Sequence, residues 1–342
     1  TLSGTAQSFG VYLLGAFIAG FSMCLLNTVV NPMLNKLGGG GNKGNQLIQA
    51  GGSFNSLCGT AVIILTGLLI PEGIKNAQIS NVFPLMYAAL AIFAFAFVVI
   101  SLTKIPETQK EVGLKSAGAS KYGPLSFRHF ILGAVAIFVY VGIEVGIPNV
   151  LQKWLQNPDL NVLGGGVNAE AVAGSVAATY WFLMLVGRLL GAAVGSKVSA
   201  KSMLTVVSGV GLLLTLGAMF LPAVAVNLPV FNGSEGFGLV NVPVNAALLV
   251  LVGLCTSIMW GGIFNLAVEG LGKYTEKASG IFMALVCGGG ILPLLQNAIV
   301  DVTDGGVGYL TSYWVIVVAL AYLLYYALVG SKNVNKDIPV TE

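Results

Sequence analysis

FILGAVAIFVYVGIEVGIPNVL, residues 130–151, is an apolar run with a single charge, Glu144. As a helix rising 1.5 Å per residue it is long enough to cross a hydrocarbon core of roughly 30 Å. Of the 13 acidic residues in the chain, Glu144 is the only one inside such a run. A charge there is costly unless it is neutralised, paired or hydrated, so an intramembrane carboxylate marks a functional site by default.

The rest of the chain supports a membrane setting for that run. Hydrophobic residues make up 56% of the 342, charged residues 8%, and the mean hydropathy is +0.88. A soluble domain of this size needs far more charge, whereas a helical bundle solvated by lipid does not. The 46 glycines fit, because small residues let membrane helices approach closely. The net charge of +3 carries no message about nucleic acid, and no nucleic-acid partner is expected.

Hydropathy predicts nine spans, at 9–31, 46–71, 82–103, 128–151, 171–194, 203–222, 246–268, 278–300 and 309–330. Of the 16 Lys and Arg residues, all but Lys75 and Lys153 lie in or beside alternate connections and the C-terminal tail. The positive-inside rule then places the C-terminus in the cytoplasm and the N-terminus outside, in a multi-pass protein of the cell (inner or plasma) membrane. TLSGTAQSFG lacks the basic n-region of a signal peptide. An odd number of spans starting outside leads to the expectation that three more precede them, giving twelve with both ends cytoplasmic.

The longest charged connection, KIPETQKEVGLKSAGASKYGPLSFR (104–128), separates three spans from six. The expected organisation is a three-span remainder of an N-terminal bundle (1–103), a cytoplasmic linker (104–127), a C-terminal six-helix bundle (128–330) and a cytoplasmic tail (331–342). Transporters are often built from such repeats, with the substrate site between them near the midplane. The GGGG run at 38–41 lacks the Gly-Lys-Ser/Thr ending of a phosphate-cradling loop. Gly288-Gly289-Gly290, followed by Pro293, is expected to break or bend its span. Cys24, Cys58, Cys255 and Cys287 fall within spans without metal-ligand spacing and read as packing residues. The lone His129 begins a span and reads as structural. With no cluster of acids, His-Glu-x-x-His or nucleophile–base pair, the sequence points away from enzymes and metal sites.

Taken in order, several segments resemble the sugar–proton symporters of the major facilitator superfamily, in the fucose–galactose–glucose family. LLNTVVNPML (25–34) is similar to that family's fourth-helix signature, and NQLIQAGGSFNSLCGT (45–60) to its fifth. YVGIEVGIP (140–148) resembles the start of the C-terminal half, in the form carrying Glu that belongs to the glucose/galactose branch. IMWGGIFNLAVEGLGKYTEKASG (258–280) and CGGGILPLLQNAIVD (287–301) resemble helices ten and eleven. The resemblance implies an all-α polytopic membrane protein of the major facilitator fold, with these nine spans as helices 4–12 of twelve. The chain departs from the pattern at three places. Asn27 stands where a fucose-type carrier has Glu, Gly52 where Gln is expected, and Trp260-Gly261 where an aromatic-Pro pair is usual.

The second span carries Gln46, Gln49, Ser53, Asn55, Ser56 and Thr60 on one side and an apolar stripe on the other. Periodicity leaves interhelical hydrogen bonding and ligand contact both open for that face. The resemblance assigns Asn55 to sugar binding. Asn27 and Asn31 share a face, with Asn31-Pro32 read as a helix-bending element and Asn27 as the pocket residue. An amide offers a hydroxyl both donor and acceptor without burying a charge.

For Glu144 the functional reading is proton carrier or acceptor for a sugar hydroxyl, since burial in low dielectric favours the neutral form of a carboxyl. The structural alternative is an acid satisfied by neighbours, among them Tyr140 one turn away or backbone opened by Pro148. Tyr180, Trp181, Trp260, Asn265 and Gln296 join Gln49 as further substrate candidates, because aromatic rings stack on sugars while amides read hydroxyls. Arg188, within Gly187-Arg188-Leu189-Leu190-Gly191, reads as a snorkelling side chain in a small-residue stripe or as a gate contact.

These readings converge on an expectation. The chain is a secondary active transporter taking up a neutral, glucose- or galactose-like hexose with a proton, by alternating access, with no cofactor beyond the proton. Its partners are the sugar and the bilayer. The alternatives are a uniporter of sugar or another small solute on the same fold, and a non-transporting membrane scaffold or sensor.

Overall fold

A computed structural model describes residues 8–69, 79–103, 122–164, 169–232, 236–303, 306–335 and 337–340. Helices α1 (Phe9–Leu37), α2 (Gly41–Leu69) and α3 (Phe83–Leu102) come first. The connection that the charge pattern assigns to a cytoplasmic linker lies outside the described residues over 104–121. Next follow α4 (Arg128–Gln156), α5 (Ala169–Val194) and α6 (Ala200–Phe220). Strands β1 (Ala225–Asn232) and β2 (Gly236–Pro243) then lead to α7 (Val244–Thr256) and α8 (Met259–Val268). The chain ends through α9 (Thr275–Ala284), α10 (Gly288–Val302), α11 (Val307–Ser312) and α12 (Trp314–Tyr325).

Eight segments among the described residues are long and apolar enough to cross a membrane. The 29-residue α2 lies between the first two of them, so each expected span is helical. Three spans are broken. α7 and α8 form one span interrupted at Ser257-Ile258, α9 and α10 are separated by a 3-10 turn at Leu285–Cys287, and α11 and α12 meet at Tyr313. The break expected at Gly288–Gly290 therefore falls just before the glycines, and α10 runs on through Pro293. α1 likewise continues through Pro32.

The helices differ in how they meet their surroundings. α3, FPLMYAALAIFAFAFVVISL, has no buried residue, and α1 exposes Phe9, Phe17, Phe21 and Val29. Such an all-round apolar surface is unstable in water and natural in lipid. α4 is the opposite case. It is packed against α5, α8, α10 and α12 and carries Tyr140, Ile143, Ile147 and Leu151 fully buried. Close approach there rests on glycines. Gly288 seats against the backbone of Phe138, and Leu292 fills the space beside Gly142.

One element lies outside the all-α expectation. β1 and β2 form an antiparallel hairpin, with Val226 opposite Val242 and Leu228 opposite Val240. Leu228, Val230 and Val242 face inward, while Asn227, Pro229 and Asn241 face out. That period-two alternation on both sides of a short Gly-Ser-Glu stretch is a hairpin signal in the sequence. The strands pack on the ends of α5 and α7 opposite the basic loops.

Candidate functional site

Glu144 sits on α4, one turn before Pro148. Proline has no N–H, so the Glu144 carbonyl loses its ordinary helical donor and this turn of α4 is locally freed. The carboxylate is mostly buried, with its side chain 13% exposed, and Oε1 lies 3.3 Å from Nη2 of Arg188 on α5. Arg188 is buried rather than snorkelling. Its Nη1 donates to the Gly52 carbonyl on α2 at 2.9 Å, and its Nε donates to the Ser257 carbonyl at 3.2 Å. One guanidinium thus ties together α2, α4 and the α7–α8 break.

Local sequence explains why those acceptors are available. Gly52 has no side chain, and a Cβ there would already stand 3.5 Å from Arg188 Cδ. The glutamine expected at this position would compete for the space that the guanidinium occupies. At the α7–α8 break the helical ladder is interrupted, which leaves carbonyls able to take side-chain donors. Ser257 O receives Arg188, and Ile258 O receives Gln49 Nε2 at 2.8 Å beside its backbone donor, Gly262 N, at 3.2 Å.

Around the ion pair lie aromatic groups. Tyr140, one turn before Glu144, is fully buried with its ring edge-on to Trp260 at 6.2 Å between centroids. Its hydroxyl is buried and makes no hydrogen bond of ordinary length and angle. Trp260 also meets Phe282 edge-on. Tyr180, buried and edge-on to Trp181, shares a hydrogen bond with Thr256 at 3.0 Å. Asn55 is exposed one turn beyond Gly52, on the side of α2 that faces Arg188. Asn27 is half-buried on α1, and its carbonyl accepts from Asn31 Nδ2 at 2.9 Å.

The other candidates lie elsewhere. Asn265 Nδ2 donates to the Gly41 carbonyl at 3.0 Å, so Asn265 and Gln49 both serve contacts between α2 or its start and α8. Gln296 is fully buried between α10 and α4, against Gly146, and neither amide atom has a hydrogen-bond partner. In this structure it faces the interior of the last six spans.

The contacts that join α1 and α2 to the later helices cluster toward the end that carries the basic loops. Gln46 Nε2 donates to Ala192 O at 2.8 Å, and Lys36 pairs with Glu276 at 3.5 Å. Ser279 Oγ donates to Thr28 O at 3.1 Å. Thr28 stands four residues before Pro32, whose missing N–H leaves that carbonyl unserved within α1. Gln46 belongs to the polar face for which periodicity leaves interhelical hydrogen bonding open, whereas Thr28 and Ser279 are not singled out by the sequence analysis. For Thr28 the available signal is its i, i+4 placement before Pro32.

The arrangement offers amides, hydroxyls, aromatic edges and one acid–base group. Among the described residues no three His, Cys, Asp or Glu side chains converge as a metal site would need. A cavity of about 390 Å³ at the base of the hairpin, lined by Trp154, Leu160, Leu163 and Asn241, contains none of the candidate residues.

No family model matches the chain. It is similar to individual proteins over most of its length. It is 30% identical over 338 residues to a putative glucose/galactose transporter of Helicobacter pylori (strain J99), covering 95% of this chain and 75% of that protein. It is 29% identical over 338 residues to the glucose/galactose transporter of Brucella abortus (biovar 1, strain 9-941), covering 96% of this chain and 74% of that protein. The chain belongs to the fucose–galactose–glucose:proton symporter family of the major facilitator superfamily. Its fold matches the crystal structure of the major facilitator transporter FucP in the outward conformation, with a TM-score of 0.74 at 19% identity over 97% of this chain and 78% of that one.

Membership of this family makes the chain a multi-pass membrane transporter and not an enzyme. For a family member, the Glu144–Arg188 pair lies on two spans of the later helices and reaches across to the α2 backbone. Fold similarity by itself does not select a substrate.

Proposed function

We propose that this family member takes up a neutral hexose of the glucose/galactose class together with a proton, by alternating access of two helical bundles, 1–103 and 128–330, in the cell inner or plasma membrane with its C-terminus cytoplasmic. The names of its relatives support the sugar class. The observation that carries the coupling is the buried Glu144–Arg188 pair, whose guanidinium also holds the Gly52 carbonyl of the other bundle.

While Glu144 is ionised, Arg188 has a charge partner and remains docked on Gly52 and Ser257. A proton on Glu144 removes that partner and leaves a buried cation served only by carbonyls. A buried charge that loses its partner is strongly destabilising, so the bridge between bundles loosens. Proton arrival and release of the interbundle link are then one event, with the proton as the coupling ion and no other cofactor.

Sugar recognition falls to Asn55 and Asn27 on α2 and α1, each able to donate and accept with a hydroxyl. Trp260, edge-on to Tyr140 and Phe282, supplies an aromatic surface beside the pair. Gln49 and Asn265, now bonded across the closed end, become available when that end opens. With basic loops cytoplasmic, the Lys36–Glu276, Ser279–Thr28 and Gln46–Ala192 contacts close the inner side. The conformation is then the one that receives sugar from outside.

The test is uptake of labelled glucose, galactose, fucose and N-acetylglucosamine into proteoliposomes holding the full-length protein, with and without an inward proton gradient. Accumulation of glucose or galactose driven by the gradient is expected. Downhill uptake indifferent to the gradient would make the protein a uniporter, and no uptake of any sugar would overturn the hexose assignment.

A further inference from the structure

The chain after α12 folds back over the basic end of the molecule instead of trailing away from it. α12 closes in a wide turn over Tyr326–Gly330, where Ser331 N donates to Tyr326 O. Asn335 then reaches the start of α4, and its Oδ1 accepts from Arg128 N at 2.9 Å. The residue at the N-cap of α4, Phe127, has no side chain able to do this, so the tail supplies the missing acceptor. Ile338 and Val340 pack against the hydrophobic core, and Val340 O accepts from Lys273 N at 3.2 Å.

The loop that receives the tail is shaped for it. Between α8 and α9, Gly270 and Gly272 both have positive φ, at 73° and 50°. A Cβ at Gly272 would run into the Val340 backbone, and one at Gly270 would press on the movable amide of Asn333. Glycine at 272 is thus required twice over, for the left-handed turn and for the space that the tail fills. Directly beyond this loop, α9 begins with the two residues that meet α1: Glu276, paired with Lys36, and Ser279, bonded to Thr28 O. The tail therefore fastens the α8–α9 loop to the root of α4, immediately beside the contacts that close this end.

We propose that the described residues of the tail, 331–335 and 337–340, are a strap that holds the start of α9 in the position where it closes against α1. Opening that end requires the start of α9 to leave Thr28 and Lys36. A tail anchored at both Arg128 and Lys273 fixes the start of α9 against the root of α4 within the later bundle, so the surface that meets Thr28 and Lys36 stays formed and the closed conformation is favoured. The claim needs neither a particular sugar nor proton coupling.

The test uses the full-length protein in detergent micelles with Cys24, Cys58, Cys255 and Cys287 replaced by Ser and one reporter cysteine added. Ser279→Cys reports the closed end, and Ser312→Cys, equally buried at the opposite end, reports general loosening. Labelling by a water-soluble maleimide is timed in three backgrounds: the intact tail, deletion of 332–342, and Asn335→Ala with Val340→Gly. Labelling at position 279 is expected to speed up about fivefold or more in both altered tails, the lower end of typical conformational coupling, with position 312 unchanged. Unchanged labelling at 279 in both would overturn the strap. Equal acceleration at 279 and 312 would also overturn it, because the tail would then stabilise the fold as a whole. If the deletion does not fold, the double substitution decides alone.

Discussion

A carboxylate at position 144 meets a guanidinium that is itself held by two carbonyls, so removing either charge strands the other in a low-dielectric surround. Arg188→Met is expected to destabilise the protein by about 3 kcal/mol or more, and adding Glu144→Gln to recover most of that loss. Thermal unfolding of the single and double variants in detergent checks both steps. Position 52 tests the same contact from the other side. A Cβ at Gly52 meets only ordinary van der Waals contact, so Gly52→Ala should transport normally. Gly52→Gln should push Arg188 off the Gly52 carbonyl and cut initial uptake roughly tenfold, as expected when a charge-assisted hydrogen bond worth about 1.5–3 kcal/mol is lost. Glu144 was legible because a lone charge in an apolar run stands out along one dimension. Its pairing with Arg188 was not. Arg188 lies six residues before the end of α5, close enough to read as snorkelling, and its true direction depends on how α5 is turned against α4 and α2.

Interrupted helices organise the site at the next scale. Two carbonyls left without a helical donor are used by side chains from another span, Ser257 O by Arg188 and Thr28 O by Ser279, while Ile258 O takes Gln49 beside its own donor, Gly262 N. Helices α4 and α10 show the complementary device of glycines at points of closest approach. Gly288→Val would drive a side chain into the Phe138 backbone, which cannot give way as a flexible side chain would. A loss of about 1–3 kcal/mol is expected, read as a lower unfolding midpoint with helical content kept below it. Helix existence was readable from hydropathy throughout, and the GGG run correctly marked an irregular region. The break itself falls at Leu285–Cys287 because glycines are compatible with a helix once packing against α4 holds them there. The hairpin was missed because a hydropathy window blurs the alternation in 226–230 and 240–242 into a polar connection.

At the scale of the whole molecule, α1 and α2 meet the later helices through a closed end and the Arg188 bridge above it. Joining Lys36→Cys to Glu276→Cys with a reducible bifunctional thiol reagent should stop uptake, and reduction should restore it, because the proposed alternating access needs this end to open. Continued uptake by the cross-linked protein would exclude these contacts as a gate. The succession of spans was legible from hydropathy, whereas the closed end was not, since hydrogen bonds between spans far apart in sequence leave no periodic trace. Gln49 and Asn265 illustrate the point: both were legible as polar residues within spans, yet only the assembled helices show them bridging α2 and α8 in this conformation. The central claim is that Glu144 carries the proton that enters with sugar. Its most direct measurement is the external pH of lightly buffered proteoliposomes when sugar is added without an imposed gradient, beside labelled-sugar exchange. Sugar entry should make the exterior more alkaline, and Glu144→Gln should abolish that signal while still exchanging labelled sugar across the membrane. Sugar entry with no change in external pH, or proton uptake that persists in Glu144→Gln, would contradict the account.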